Sequence, residues 1–285
     1  ARWRVAATTE AHSSIVQACR VMDVDVLPVA LGDDHRMTAV TLRAALAGED
    51  LDGLFAVVAT GGTTNLGLVD DLDGIADVAA EHGLWFHVDC AYGGGALAAP
   101  SARPRFAGIE RADSFVVDPH KWLFAPFDAC ALLYRDPGHG RAAHSQHAAY
   151  LDVLHARAEW DPSDYAVHLT RRARGLPFWF SLATHGTAAY AEAVETTLAV
   201  ARAGAEEIRS RPHLELLVEP ELSVLVFRRR GWVHDDYQAW YERMLAAGYA
   251  FVVPTSHEGE TVARFCIINP RTTVDDLRGI LDRMA

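Results

Sequence analysis

Short apolar runs alternate with helix-like segments along the first two-thirds of the chain. The run at 54–60 is apolar almost without interruption, which is typical of a parallel strand covered on both faces. Further runs at 24–30, 84–89 and 114–118 are separated by segments with helical spacing, such as 71–82. Strands that alternate with helices predict an α/β fold, with a mostly parallel, doubly wound sheet and helices on both faces.

The pattern changes in the second half of the chain. Residues 136–177 show no clear periodicity, and a segment of this length without secondary structure is usually functional or mobile. Helical spacing returns at 178–209, with Gly186 as a weak point. The last part predicts strands at 223–228, 249–253 and 262–268 and helices at 234–247 and 273–284. We therefore expect a large domain at 1–195 and a small C-terminal α+β domain at 196–285.

Composition and charge argue against several classes of protein. A net charge of −12 does not suit a nucleic-acid partner, which needs a basic face. The longest apolar runs fall far short of the ~20 residues of a membrane span, and no signal peptide is expected after the first arginines. The cysteines show no CxxC spacing and lie mostly in apolar segments, so we expect reduced, buried thiols and a cytoplasmic location. They are Cys19, Cys90, Cys130 and Cys266.

Two apolar runs end in residues that carry chemistry. Asp89 closes one run, and the sequence Asp118-Pro-His-Lys-Trp122 follows another. Ligands of open α/β sheets collect at the carboxyl ends of the strands, where these residues fall. A lysine and an acid at such ends are what a pyridoxal phosphate enzyme needs. Lys121 would form a Schiff base with the cofactor aldehyde, and the acid would keep the pyridine nitrogen protonated.

The segments around these residues resemble the group II pyridoxal phosphate-dependent amino acid decarboxylases, and the aromatic-L-amino-acid branch looks nearest. The strongest motifs are His-Val-Asp-Cys-Ala-Tyr-Gly-Gly at 87–94 and Asp-Ser-Phe-Val-Val-Asp-Pro-His-Lys-Trp at 113–122. Supporting matches lie at 11–14, 59–64, 127–128, 171–172 and 269–277. The resemblance covers nearly the whole chain and implies the type I fold of pyridoxal phosphate-dependent transferases, with a small C-terminal α+β domain.

The resemblance also implies roles for three residues. Lys121 would be the Schiff-base lysine, although an ordinary solvated lysine is the simple alternative. Asp89 would pair with the ring nitrogen, whereas many aspartates at strand ends only cap a turn. His12 would stack on the cofactor ring and take part in catalysis, although a histidine before two serines could equally begin a helix.

Four further residues have weaker sequence support. Ala91 resembles the small residue beneath the ring, and it also suits a tight turn. Thr64 could donate a hydrogen bond to the cofactor or be an ordinary turn residue. His120 could reach the phosphate or gate the substrate, and packing is a nearly equal alternative. Asp118 stands where relatives carry Asn or Asp.

The irregular segment contains the expected proton donor. The spacing from Lys121 to Tyr150 resembles that of the mobile-loop tyrosine in aromatic decarboxylases, which protonates the substrate carbon. Tyr165 is its rival, and a surface-packed aromatic residue is the alternative to both. The adjacent Arg171 and Arg172 could bind a carboxylate, but we favour a structural role. A histidine cluster at 139–147 lacks a fourth ligand in a regular frame, so no metal site is expected.

Together these observations predict decarboxylation of an L-amino acid, with an aromatic one expected, to its amine and carbon dioxide through Lys121. The alternatives are a decarboxylating aldehyde synthase of the same family and a non-catalytic fragment that binds a partner chain. The resemblance implies a cytoplasmic homodimer with its active site near the subunit interface. It also implies roughly another third of a chain before His12, with the phosphate-binding loop, so we expect this sequence to be a piece of a longer one.

Overall fold

A computed structural model describes residues 2–146 and 161–285. Its large sheet has the strand order β2-β1-β3-β4-β5-β6. The strands are β1 Arg4–Thr8, β2 Asp25–Val29, β3 Leu54–Thr60, β4 Trp85–Asp89, β5 Ser114–Val117 and β6 Ala131–Tyr134. The first five are parallel, and β6 runs antiparallel to β5. The expected α/β fold of type I, with a mostly parallel sheet, is therefore confirmed.

The described helices pack on this sheet and on a smaller one. They are α1 Ser13–Met22, α2 Ala39–Leu46, α3 Leu72–His82, α4 Pro119–Trp122, α5 Pro137–His144, α6 Gly175–Arg209, α7 His234–Ala246 and α8 Val274–Leu281. The sequence signals for α3 agree with the structure, because the Asp71 side chain accepts from Gly74 N and Gly83 ends the helix in a left-handed conformation. Helix α1 is capped by His12, whose imidazole accepts from Ser14 N.

Strand β3 lies in the middle of the large sheet and is buried along almost its whole length. Val57 and Ala59 face one layer of helices, and Ala56 and Val58 face the layer that contains α1. Burial of each of the two valine side chains contributes roughly 1.5–3 kcal/mol. The uninterrupted apolar run in the sequence follows from this coverage on both faces.

The small sheet is antiparallel, with the order β7-β8-β10-β9. Its strands are β7 Leu214–Leu216, β8 Val224–Arg229, β9 Thr255–His257 and β10 Glu260–Cys266. The strand expected at 249–253 is wrong: the segment is extended but pairs with no strand among the described residues, and Phe251 and Val253 are exposed. The segment is apolar throughout, but its backbone pairs with neither free edge of this sheet, β7 or β9.

Helix α6 joins the two sheets. Gly186 interrupts it with φ 75° and ψ 161°, as its position in the sequence suggested. Beyond this kink, Val194 and Leu198 pack into the core of the large sheet, while Ala205 and Ile208 pack into the core of the small one. The boundary at residue 195 falls inside α6 and stays a prediction.

Two other expectations need correction. The segment 136–177 is not wholly irregular, because Asp136 caps α5 and Pro137 begins it. Cys19 and Cys90 are buried as expected, but Cys130 and Cys266 are exposed. None of the helices in the described ranges has the length and hydropathy needed to cross a membrane.

Candidate active site

Three strand ends meet at one edge of the large sheet. In the parallel register, Thr60 of β3 lies beside Asp89 of β4, and Asp89 lies beside Val116 of β5. The chain continues from β5 through Asp118 into α4, which carries His120 and Lys121. The structure therefore brings together at this edge the acid and the lysine that are separate in the sequence.

The Asp89 carboxylate is buried, with 8% of the residue exposed. Its Oδ1 accepts a hydrogen bond of 3.0 Å from the backbone N–H of Ala91, two residues later. Among the described residues no donor contacts its other oxygen, which leaves that oxygen available to a ligand. A carboxylate held in this way at a strand end suits a cationic N–H group of a bound molecule.

Lys121 is the only lysine in the sequence, a signal that the sequence analysis did not use. Its Nζ lies 2.9 Å from Oδ2 of Asp118, and its side chain is 37% exposed. The Lys121 ammonium group therefore contacts both a carboxylate and solvent. The pairing of Asp118 with Lys121 could not be predicted from the sequence motif alone.

Asp118 also ties the two strand ends to each other. Its backbone N–H donates to the carbonyl oxygen of Ala91 over 3.0 Å, and its carbonyl oxygen accepts from Lys121 N. The thiol of Cys130 lies within hydrogen-bonding distance of the Asp118 side chain. Its pKa rises to about 11, first through partial burial and then through a hydrogen bond to Asp118, while Lys121 acts in the opposite direction.

Aromatic packing fixes α4 beneath the strand ends. The rings of Tyr92 and Trp122 stack, with centroids 5.1 Å apart and planes 6° apart. Trp122 is fully buried, and its Nε1 donates to Thr197 Oγ1 of α6 over 2.9 Å. Gly95 permits the close packing, because a β-carbon there would lie 2.9 Å from the Trp122 side chain.

The small sheet reaches the same edge. The Tyr92 hydroxyl lies 2.6 Å from Ser223 Oγ and accepts a hydrogen bond from Ser223 N. Burial raises the pKa of this phenol, so it stays protonated. The Arg264 guanidinium donates to the carbonyl oxygen of Thr64. The loop after β3, which carries Thr64, is thus held by the C-terminal part of the chain.

Three of the predicted cofactor-binding residues are exposed or half-buried. His12 is exposed and caps α1 through Nδ1, which accepts from Ser14 N over 3.2 Å. The helix-start reading of His12 is therefore correct, and it leaves the ring face accessible to a ligand. Thr64 is also exposed, and Ala91 is half-buried between Asp89 and Asp118.

His120 faces a cavity that neither Asp89 nor Lys121 lines. Its Nδ1 lies 2.6 Å from the carbonyl oxygen of Ala129, and its ring packs edge-on against Phe127. It lines a cavity of about 1040 Å³ together with Tyr165 and Arg172. Of the predicted cofactor residues in the described ranges, only His120 lines this cavity. The Asp89 carboxylate and the Lys121 amine lie at the strand ends and do not line this cavity.

The two arginines and the loop histidines have structural contacts. Arg171 donates to the carbonyl oxygen of Pro162, and Arg172 pairs with Asp128, so the favoured role in holding the segment agrees with the structure. His139 packs edge-on against Trp85. Tyr150 and the last histidine of the 139–147 cluster lie outside the described residues.

A buried network that the sequence did not reveal supports the end of β3. Asp70 is 4% exposed, and its two oxygens accept from Met37 N (2.8 Å) and Thr60 N (2.7 Å). Burial raises the pKa of Asp70 to about 7, against the opposing effect of these two donors. Next to it, the buried hydroxyl oxygen of Thr60 has no hydrogen-bond partner among the described residues.

Comparison with known proteins adds a family. Residues 1–230 match the model described as the pyridoxal-dependent decarboxylase conserved domain. The chain is 34% identical over 270 residues to a histidine decarboxylase of Drosophila melanogaster, covering 94% of this chain and 32% of that protein. It is 35% identical over 291 residues to an L-2,4-diaminobutyrate decarboxylase of Rhizobium meliloti, covering 98% of this chain and 58% of that protein.

A solved structure gives the same fold. The chain superposes on that of Oryza sativa TDC with PLP and tryptamine with a TM-score of 0.88 and 28% identity, covering 99% of this chain and 62% of that one. In each of these three comparisons the chain spans less than two-thirds of the relative's length.

Proposed function

This chain belongs to the pyridoxal-dependent decarboxylase family, and on that premise we propose that it removes the carboxylate of an L-amino acid as carbon dioxide and releases the amine. The observation that carries the proposal is the position of the buried Asp89 carboxylate beside the strand that leads to Lys121. The family name makes pyridoxal 5′-phosphate the cofactor.

The residues at the strand ends fit this cofactor. Lys121 offers the only lysine amine of the sequence for covalent attachment. The buried residue Asp89 has a second carboxylate oxygen that accepts no hydrogen bond among the described residues, which suits a protonated pyridine nitrogen. The small side chain of Ala91 leaves room beside them, and the exposed ring of His12 is available for stacking. Thr64 and His120 are proposed to hold the cofactor's polar groups.

Asp89, Lys121 and Asp118 would then control the protonation of the cofactor ring and of the attacking amine. When bound, the cofactor ring accepts the electron pair left by the departing carboxylate. Asp89 holds the proton on the ring nitrogen and so keeps the ring able to accept charge. Lys121 must give up a proton before its nitrogen can bond to a carbonyl carbon, and Asp118 is the carboxylate beside it at 2.9 Å.

We assign proton delivery at the substrate α-carbon to Tyr150. The support is its spacing from Lys121 in the sequence. Tyr165 is the alternative, because it lines the large cavity together with His120. A phenol can act as the general acid if it comes within hydrogen-bond reach of the carbon. The presence of a tyrosine at this spacing favours the amine over the aldehyde as product.

An aromatic L-amino acid is the proposed substrate. The motifs around Asp89 and Lys121 support it, since they resemble the aromatic branch most closely. Relatives named for histidine and diaminobutyrate are about as similar, so the substrate panel must include basic amino acids. The exposed apolar side chains of Leu176, Trp179 and Phe180 support a homodimer, and the absence of disulfides among the four cysteines supports a cytoplasmic location.

The experiment is product analysis with pyridoxal phosphate and a panel of L-amino acids. Amine and carbon dioxide should appear in equal amounts for an aromatic substrate, and Lys121→Ala should form neither. A wild-type chain that stays colourless after addition of pyridoxal phosphate would instead indicate the non-catalytic fragment.

The two tyrosines can be separated in the same assay. Tyr150→Phe should lose amine formation and divert product to the aldehyde with oxygen uptake, whereas Tyr165→Phe should keep the amine. The reverse pattern would assign the proton to Tyr165. Oxygen uptake matched to product in the wild type would favour the aldehyde synthase.

A further inference from the structure

Two histidines and a glutamate from distant parts of the sequence lie close together in the structure. They are His35, in the loop between β2 and α2, and His257 and Glu258, at the turn between β9 and β10. One ligand atom from each lies within 4.8 Å of the others. The imidazole rings of the two histidines are 5.1 Å apart and meet at 65°.

We propose that His35, His257 and Glu258 bind one divalent zinc-like transition-metal ion that joins the β2–α2 loop to the β9–β10 hairpin. Two imidazole nitrogens and one carboxylate oxygen form a ligand set that suits Zn²⁺, with a fourth position left for water. Mg²⁺ and Ca²⁺ prefer oxygen ligands, so a site with two imidazoles selects against them.

The distances require little movement. A tetrahedral ion with bonds of about 2.0–2.2 Å separates its ligand atoms by about 3.3–3.6 Å. Closing from 4.8 Å or less to that spacing needs only side-chain rotation, and Glu258 is exposed and able to rotate. Among the described residues no hydrogen bond or ion pair engages the Glu258 carboxylate or either imidazole, so all three groups are available to an ion.

The backbone holds two of the ligands in fixed and uncommon conformations. Glu258 and Gly259 have φ of 50° and 81°, between the paired residues His257 and Glu260. A two-residue hairpin turn of this kind favours Asn before Gly, so a glutamate in the first position is unexpected on conformational grounds. His35 also has a positive φ, of 61°, in a turn closed by the hydrogen bond from Gly32 N to Arg36 O.

The surrounding charge favours a cation. The three residues line a cavity of about 260 Å³ that also contains Glu215, Glu260 and Arg228. Arg228 pairs with both Glu215 and Glu260, at 3.2 Å and 2.6 Å. Arg230 also pairs with Glu215, at 3.4 Å. Among the described residues no cation pairs with Glu258, so its charge remains uncompensated.

An ion here would stabilise the loop that carries Thr64. Thr255, two residues before His257 on β9, donates to the Asn65 side chain over 3.2 Å, and Asn65 follows Thr64. Fixing the hairpin against the β2–α2 loop would restrict this contact as well. We therefore expect the metal to raise the thermal stability of the whole chain, because it binds only the folded arrangement.

The test is calorimetric titration of the metal-free full chain with ZnCl₂. The wild type should bind one equivalent, and MgCl₂ should not compete. His35→Asn and Glu258→Asn each remove a ligand while supplying a residue that tolerates positive φ, so both should fold and lose about tenfold or more in zinc affinity. His82→Asn, an exposed histidine outside the cluster, should bind zinc like the wild type, and so should Lys121→Ala.

A second measurement locates the ion. In crystals grown with zinc, the anomalous difference map should show a peak between His35 and His257. Absence of one-equivalent binding, unchanged affinity in both Asn variants, or a peak only at other histidines would each overturn the proposal.

Discussion

The Nζ of Lys121 lies 2.9 Å from the Oδ2 of Asp118, which is the residue at the N-cap of α4. The pair stands directly after β5, and Asp118 also donates through its backbone to Ala91 of the neighbouring strand end. One residue therefore orients the amine through its carboxylate and connects it, through its backbone N–H, to the segment that begins with Asp89. Because the lysine side chain is 37% exposed, the ion pair is modest in strength.

Replacing Asp89 with Asn should separate cofactor capture from turnover. An amide cannot hold a proton on the ring nitrogen, so carbon dioxide release should fall by about 10²-fold or more. Lys121 is untouched, and the variant should still become coloured with pyridoxal phosphate. Asp33→Asn, in an exposed loop, is the control and should behave like the wild type. Turnover at the wild-type rate in Asp89→Asn would remove Asp89 from the mechanism.

Asp70 should make the chain less stable as the pH rises from about 4 to about 7. Its folded pKa of about 7 lies above the ordinary value of 3.8, so over that range the folded chain holds a proton that the unfolded chain has released. At about 1.4 kcal/mol per pKa unit, the free energy of unfolding should fall by roughly 4 kcal/mol. Urea denaturation at a series of pH values measures the slope.

Asp70→Asn provides the comparison. The amide does not titrate, so this part of the pH dependence should disappear. The variant should also be less stable at low pH, because its single oxygen cannot accept from both Met37 N and Thr60 N. Parallel pH profiles in the two proteins would show that Asp70 has no raised pKa.

Thr197→Val should destabilise the chain by about 1–3 kcal/mol, because the buried Trp122 Nε1 loses its acceptor. Thr196 is the matched control: it neighbours Thr197 on α6, but its hydroxyl is at the surface and bonds only to Glu192 O of its own helix. Thr196→Val should change stability by less than about 0.5 kcal/mol. Equal effects of the two substitutions in urea denaturation would contradict the role given to Trp122.

The strands of the large sheet could be predicted because their cause is local. Burial on both faces requires uninterrupted apolar residues, and β3 occupies the same residues as the predicted run at 54–60. The short edge strand β7, which contains Glu215, was missed because three residues carry no usable periodicity. The 249–253 segment failed for a different reason, since an apolar run indicates strand propensity but not whether the backbone finds a strand to pair with.

Some features of the candidate site could also be predicted from the sequence, and others could not. The residue types and order of Asp89 and Lys121 were visible in the motifs, and the family match agrees with that interpretation. The partners of these motifs were not visible. Ser223 bonds to Tyr92, Arg264 bonds to Thr64, and Asp70 supports Thr60, and none of these pairs has a spacing rule that a sequence pattern can reveal.

The sequence by itself determined the family, the order of strands and helices, and the acid and lysine at the strand ends, because each depends on neighbouring residues and on burial. Only the tertiary structure decided that Asp118 holds Lys121, that His12 caps its own helix, and that His35 meets His257 and Glu258. Those relationships depend on how separate segments pack against each other. That packing is set by the shape of both cores together, and no single stretch of the sequence records it.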